Sequence, residues 1–303
     1  MKISAPEKLL DAQAQLGEGP YWDDTRQRLG WVDILAGRLH EYDPATGQDQ
    51  FIELGQPVGC AAPCQSGRLI LGMKEGLAFL SRTAQDAPPP GQDTVALNWI
   101  ARPEPHLPNN RFNDGKCGPD GRFLAGTMDM GEKNPSGALY SLTPGGTLQT
   151  LRREVRISNG LTWSPDYQTL YYIDTLTSQV LAYDYDISSG AIANPRVAVQ
   201  VPKKLGWPDG MTADLQGRLW VALWGGAAIT IWNAGTGRLI ETIRFPAKNV
   251  TSCAFGGPEQ DTLYVTSARI GLGWLDLLRY PDSGSLFRVR TNVQGLPTFQ
   301  FGD

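Results

Sequence analysis

Short apolar runs rich in β-branched and aromatic residues recur along the whole chain, each closed off by Gly, Asp or Pro. That is the pattern of hairpin-connected strands rather than of amphipathic helices. Two stretches match almost position for position. The first runs Gly17-Glu18-Gly19-Pro20-Tyr21-Trp22, a turn at Asp23-Asp24-Thr25, a strand Leu29 to Asp33 and a strand Gly37 to Asp43. The second runs Asn159-Gly160-Leu161-Thr162-Trp163, a turn at Pro165-Asp166, a strand Leu170 to Asp174 and a strand Val180 to Asp184. Fainter copies begin near Gly59-Cys60, Asp114-Gly115, Asp209-Gly210 and Ser252-Cys253, giving anchors roughly 41 to 55 residues apart, a spacing that suits one propeller blade per repeat.

Six units of four strands account for nearly all 303 residues. The expected fold is therefore all-β, a six-bladed β-propeller forming a single domain over residues 1–303, because a radial array buries both faces of each small sheet and protects most edges. A pair of β-sandwich domains is the rival, and it offers no reason for six regular anchors. Leu9 to Ala14, or Leu296 to Phe301, is expected to supply the outer strand that closes the ring. The proline-rich Ala87 to Gly91 reads as an outer loop.

The anchors have two readings. Asn-Gly and Asp-Gly are strong tight-turn signals, so Asp114, Asn159 and Asp209 could simply reverse the chain. Glu18 is a poor turn residue in the same register, however, and the first strand of a propeller unit lines the central channel. Glu, Asn and Asp converging there form an oxygen-rich site suited to a hard or borderline divalent ion.

Composition narrows the field. The net charge is -4, with basic residues scattered, so no footprint for nucleic acid is present. No apolar run approaches the ~20 residues of a membrane span. The amino terminus lacks a signal or transit pattern, which points to the cytoplasm. The four cysteines, Cys60, Cys64, Cys117 and Cys253, lack zinc-type spacing and are expected to be buried thiols. With two histidines and no Gly-x-Ser-x-Gly elbow, a serine-triad hydrolase does not fit, and no phosphate loop or dinucleotide fingerprint occurs.

Gly17-Glu18-Gly19-Pro20, Arg111-Phe112-Asn113-Asp114-Gly115-Lys116, Ala125-Gly126-Thr127-Met128, Ser158-Asn159-Gly160-Leu161, Pro208-Asp209-Gly210-Met211 and Tyr264-Val265-Thr266-Ser267-Ala268-Arg269 resemble the regucalcin and gluconolactonase (senescence marker protein) family. The resemblance covers about residues 16 to 290, in the family's order. It implies a six-bladed propeller with one divalent metal ion (Ca, Zn, Mn, Fe(II) or Mg) in the central channel, and hydrolysis of a sugar lactone. Carried over position by position, it implies Glu18, Asn159 and Asp209 as metal ligands and Arg111 and Asn113 as substrate-binding residues. Adjacent strand residues face opposite ways, so Asn113 is expected to reach the cavity while Asp114 bonds backbone or braces Lys116. Glu132, in the loop Asp129 to Asn134, resembles the family's acidic lid residue more loosely; a solvated loop carboxylate is the other reading.

The implied reaction is attack of water on a lactone carbonyl polarised by the ion, with Asp209 as general base and an aldonic acid as product. Alternatives are a non-catalytic calcium-binding regulatory propeller, or a hydrolase of non-sugar lactones or organophosphates. The expected partner is a small sugar lactone, with neither nucleic acid nor membrane, and the expected state is a monomer. Trp22, Trp31, Trp163 and Trp220 read as packing between blades, and Trp207 and Trp224 as channel-facing walls. His40 reads as a surface residue on an outer strand, and His106 as a surface residue that could reach the channel mouth.

Overall fold

The structure, a computed structural model, describes residues 1–81 and 96–303. The loop expectation for Ala87 to Gly91 lies outside the described residues.

Six four-stranded antiparallel sheets follow one another along the chain. Blade I comprises β2 (Gly17–Asp23), β3 (Arg28–Asp33), β4 (Arg38–Asp43) and β5 (Gln48–Glu53), after β1 (Glu7–Leu10). Blade II comprises β6 (Val58–Pro63), β7 (Leu69–Met73), β8 (Leu77–Leu80) and β9 (Leu97–Ala101). Blade III is β10 (Asn110–Cys117), β11 (Phe123–Asp129), β12 (Gly137–Leu142) and β13 (Leu148–Val155). Blade IV is β14 (Ser158–Trp163), β15 (Thr169–Asp174), β16 (Gln179–Asp186) and β17 (Ala191–Gln200). Blade V is β18 (Trp207–Ala213), β19 (Arg218–Trp224), β20 (Ala228–Asn233) and β21 (Arg238–Arg244). Blade VI holds β22 (Asn249–Gly256), β23 (Thr262–Ala268) and β24 (Leu286–Arg290). A short helix, α1 (Trp274–Arg279), interrupts the β23–β24 connection.

The innermost strands β2, β6, β10, β14, β18 and β22 touch in sequence, and β22 returns to β2. These strands are almost wholly buried, whereas the outermost β5, β13, β17 and β21 are largely exposed. That gradient follows from the radial packing, in which each inner strand has a sheet on both sides. Trp22, Trp31, Trp163 and Trp220 are buried, the last three among the largest fully enclosed side chains, as their places in the repeats imply.

Local chemistry repeats with the blades. In blades I, IV and V the turn between the third and fourth strands runs from an Asp or Asn to a Gly four residues on. The Gly47, Gly190 and Gly237 amides donate to the carbonyls of Asp43, Asp186 and Asn233. Gly47 has φ 73°, a left-handed conformation that side-chain-bearing residues adopt at a cost.

The ring closes through the amino terminus. β1 pairs antiparallel with β24 and becomes the outer strand of blade VI. The expected closing segment thus holds for Leu9 and Leu10, but the strand begins earlier, at Glu7. Leu296 to Phe301 adds no outer strand. It crosses the far end of the channel: Leu296 N–H bonds Ala213 O, Thr298 accepts from Trp22 N–H, and Phe301 bonds Pro63 and Gln65. This stretch carries Pro297 and alternates poorly, so it fits a plug better than a sheet edge.

Candidate active site at the channel mouth

Every inner strand carries a register shift at its anchor: between Glu18 and Tyr21, Val58 and Cys60, Phe112 and Gly115, Asn159 and Leu161, Pro208 and Met211, and Val250 and Ser252. A bulge places two consecutive residues against one on the partner strand and re-aims a side chain. Here that happens six times around one axis, which is how anchors far apart in sequence come together. The glycine after an anchor serves this convergence by its lack of volume. A Cβ on Gly160 would lie 2.7 Å from the Asp209 carbonyl of the next blade, and one on Gly210 would lie 2.1 Å from Ser252 Oγ.

Glu18, Arg111, Asn113, Asn159 and Asp209 all line one cavity of about 390 Å³ at the mouth, together with Glu132 on the exposed rim. All but Glu132 are buried. Asp114 lies elsewhere, in a separate cavity of about 40 Å³ deeper in the channel, with Lys116, Thr162, Thr212 and Ser252. Its Oδ1 accepts the Gly115 N–H at 2.7 Å, and Lys116 opposes its charge. The division between Asn113 and Asp114 is therefore the one expected from strand alternation.

A chain of amides organises the mouth. Arg111 Nη1 donates to Asn113 Oδ1 and to Phe112 O. Asn113 Nδ2 donates to Ser158 O at 2.7 Å and to Asn159 Oδ1 at 3.2 Å. Asn159 Nδ2 in turn donates to Thr175 Oγ1 at 2.8 Å, which fixes its carbonyl oxygen toward the Asn113 side. Asn113 thus joins blade III to blade IV and fixes its neighbours.

Two further carboxylates hold the anchors from behind. Asp33, ending β3, accepts the N–H groups of Gln15 and Leu16 at 2.9 and 3.0 Å. Asp174, ending β15, accepts those of Arg156 and Ile157 at 3.1 Å each. Each pair of amides leads directly into the strand bearing Glu18 or Asn159. These bracing residues were overlooked as functional positions, although the signal was present in the matched endings Val32-Asp33 and Ile173-Asp174.

The electrostatics centre on one pair. The carboxyls of Glu18 and Asp209 lie within hydrogen-bonding reach of each other. Burial, then the charge of Asp114, pushes Glu18 up to about 8. Burial, then the charges of Glu18 and Asp114, pushes Asp209 well above the ordinary carboxylate range. Arg111 is depressed to about 10 by burial, against the pull of Glu18, Glu132 and Asp209. Two buried carboxyls this close cannot both stay charged without a proton or a cation between them.

Among the described residues, no group of three or more His, Cys, Asp or Glu side chains is gathered as a metal cluster. The donor set at the mouth is instead two carboxylates and the Asn159 amide. Its chemistry fits a hard divalent ion: all donors are oxygen, and a cation would offset the burial and the neighbouring negative charge that raise both carboxyls. The four cysteines are buried free thiols and none lines the mouth cavity.

The histidines take no part. His40 is buried, not a surface residue: its ring stacks on Trp31 at 3.8 Å and its Nδ1 lies 2.7 Å from Asp49 Oδ2. Its cover comes from its own sheet, where Trp31 of β3 and Phe51 and Asp49 of β5 lie against the ring. His106 is exposed and lines a surface cavity beside Glu104 and Tyr140 rather than the channel mouth. Trp207 and Trp224 do line the mouth cavity.

Fold and site together define a six-bladed propeller with a buried acidic pair and an arginine at one end of its axial channel. Residues 16–269 match the sequence profile of the SMP-30/gluconolactonase/LRE-like region, and the chain belongs to that family. It is 36% identical to regucalcin of Danio rerio over 299 residues, with 97% of each chain covered. It is 37% identical over 291 residues to a Bacillus subtilis (strain 168) protein provisionally named sugar lactone lactonase YvrE, with 96% of each covered. Among solved structures, a luciferin-regenerating enzyme superposes with a TM-score of 0.90 at 32% identity, covering 99% of each chain. These relationships support a lactonase-type hydrolytic activity. Among the described residues, no helix is long and apolar enough to cross a membrane.

Proposed function

We propose that the protein hydrolyses a lactone ring at the channel mouth, with one divalent ion held by Glu18, Asn159 and Asp209. An aldono-lactone is the substrate that family membership favours. The observation carrying the proposal is the buried Glu18 and Asp209 carboxyls, within hydrogen-bonding reach of each other and beside Arg111, in a cavity large enough for a small ring. When bound, the ion supplies Lewis-acid polarisation of the carbonyl. Asp209 takes a proton from the attacking water as the new C–O bond forms at the carbonyl carbon. The ring C–O bond then breaks, and the departing ring oxygen recovers that proton as an alcohol. Arg111 has Nη1 engaged with Asn113 and Phe112, and its remaining donors serve the substrate carbonyl and later the product carboxylate. Asn113 holds Arg111 and Asn159 in place, and Glu132 on the rim contacts the substrate's outer hydroxyls.

The test is acid release from glucono-δ-lactone by chelator-treated protein, with and without added Ca²⁺, Mn²⁺ or Zn²⁺. Ion-dependent turnover that Asp209→Ala abolishes while the fold persists is the expected result. Full turnover by Asp209→Ala would overturn the assignment. A second reading, a calcium-binding propeller without catalysis, draws on the all-oxygen donor set and the regucalcin relatives; Ca²⁺ binding with no hydrolysis of any lactone would favour it.

A further inference from the structure

The mouth cavity is lopsided in its chemistry. Apart from the three anchors, its charged and amide groups, Arg111, Asn113 and Glu132, all come from blade III. Around the rest of the ring the wall is mainly hydrocarbon and indole, with Thr175 as its one hydroxyl: Leu35, Ile157, Leu176, Trp207, Trp224 and Ile270 come from blades I, IV, V and VI and the connections beside them. Ile157 is 9% exposed and Ile270 41%, so the apolar surface runs from inside the cavity out to the rim. Beyond Ile270 it continues along the chain into α1, where Trp274, Leu275 and Leu278 are 73, 62 and 74% exposed. Large apolar side chains this open, a few residues along the chain from the cavity rim, are the unusual feature of the surface.

A fully hydroxylated ring gains little from such a wall. Apart from Thr175 and the two indole N–H groups the wall offers its hydroxyls no partner, and each one left unpaired loses about tenfold in affinity or more. A carbon substituent on the same position gains, by about fourfold per methylene fully buried. Resting on the lactonase reading above, we infer that the preferred substrates are lactones bearing an apolar substituent on the ring carbon next to the ring oxygen. The carbonyl faces Glu18, Asp209 and Arg111, and the substituent lies along the Leu176–Trp224–Ile270 wall. The reaction is unchanged: water adds to the carbonyl carbon, the ring C–O bond breaks, and a hydroxy acid leaves with its alkyl chain intact.

The experiment uses the full-length protein with Ca²⁺, Mn²⁺ and Zn²⁺ in separate arms. It measures kcat/KM for glucono-δ-lactone and for δ-hexalactone, δ-octalactone and δ-decalactone, which share one ring and differ in alkyl length. Because the wall is half exposed, the expected rise from hexalactone to decalactone is about tenfold, below the ceiling set by full burial. Leu176→Asn combined with Ile270→Asn, both at partly exposed positions, should flatten that rise and lower the decalactone-to-gluconolactone ratio by about tenfold; an unchanged thermal midpoint would show that the fold persists. Turnover of gluconolactone with a flat or falling alkyl series overturns this inference and leaves the lactonase reading standing. A rising series that the double variant does not flatten overturns the assignment to this wall. Failure to hydrolyse any of the four lactones with any ion overturns both.

Discussion

Asp209→Asn should make the ion-free protein more stable, and increasingly so as pH rises. In the folded state burial and the neighbouring charges of Glu18 and Asp114 hold Asp209 protonated far above its usual 3.8, while in the unfolded chain it ionises near that value. Below the unfolded value both states carry the proton and the group has no effect on stability. Above it the unfolded chain releases a proton that the folded protein keeps, so stability falls by about 1.4 kcal/mol per pH unit until the folded group ionises. Glu18 adds a second loss between its usual 4.5 and about 8. Asparagine has nearly the same shape, can donate to Glu18 as protonated Asp209 does, and does not titrate. The stability difference between variant and wild type should therefore grow as pH rises above the usual carboxylate range, by at most about 1.4 kcal/mol per pH unit while folded Asp209 keeps its proton. Urea unfolding of chelator-treated protein at several pH values measures it. A divalent ion should reverse the order, stabilising the wild type by mass action and the variant far less. A difference that stays constant from pH 5 to 8 would show that the acidic pair is not held in the way argued.

Other expectations are quickly stated. Gly210→Ala should cost about 1 to 3 kcal/mol and most of the activity, because its Cβ would meet Ser252 Oγ at 2.1 Å and Cα at 2.8 Å; denaturant midpoints and lactone turnover check this. His40→Ala leaves Asp49 half-paired under the Trp31 ring and should lower stability by about 1 to 3 kcal/mol while kcat is retained, whereas a large fall in kcat at full stability would give His40 a role the geometry does not. Asp174→Ala should weaken ion binding and lower kcat together through the amides of Arg156 and Ile157, with isothermal titration as the readout; an unaltered ion affinity would remove it from the support of Asn159. Deleting residues 1–10 removes β1 and exposes the β24 edge, so a lower thermal midpoint and concentration-dependent association are expected.

The ring was legible in the chain because its repeats are chemical as well as periodic. The blade I and IV units each carry an Asp-containing turn, an aromatic-bearing strand and a closing aspartate, and the structure lays them on equivalent strands. The closing strand was half legible. Glu7–Leu10 is a strand by virtue of the β24 edge it meets, and its own pattern, half charged and half apolar, would not select it over Leu296 to Phe301. His40 was misread for a related reason: outer strands alternate, and whether an alternate residue is covered depends on the cross-strand side chains beside it, here Trp31, Asp49 and Phe51, whose register the local sequence does not give.

The anchors show what sequence spacing can and cannot convey. That Glu18, Asn159 and Asp209 share a cavity follows from inner strands meeting at an axis, and six similar beginnings announce that. That Glu18 and Asp209 do so as a buried acidic pair depends on the packing of the inner strands around them, which spacing alone does not give. The tight-turn alternative for the Asn-Gly and Asp-Gly pairs also resolves physically. These pairs are bulges inside strands, not hairpin tips, and the glycine's missing side chain lets the next blade come close enough to bring two carboxyls together. One feature of the sequence therefore had to satisfy backbone, packing and charge at once, and the arrangement most costly for stability is the one that the proposed chemistry uses.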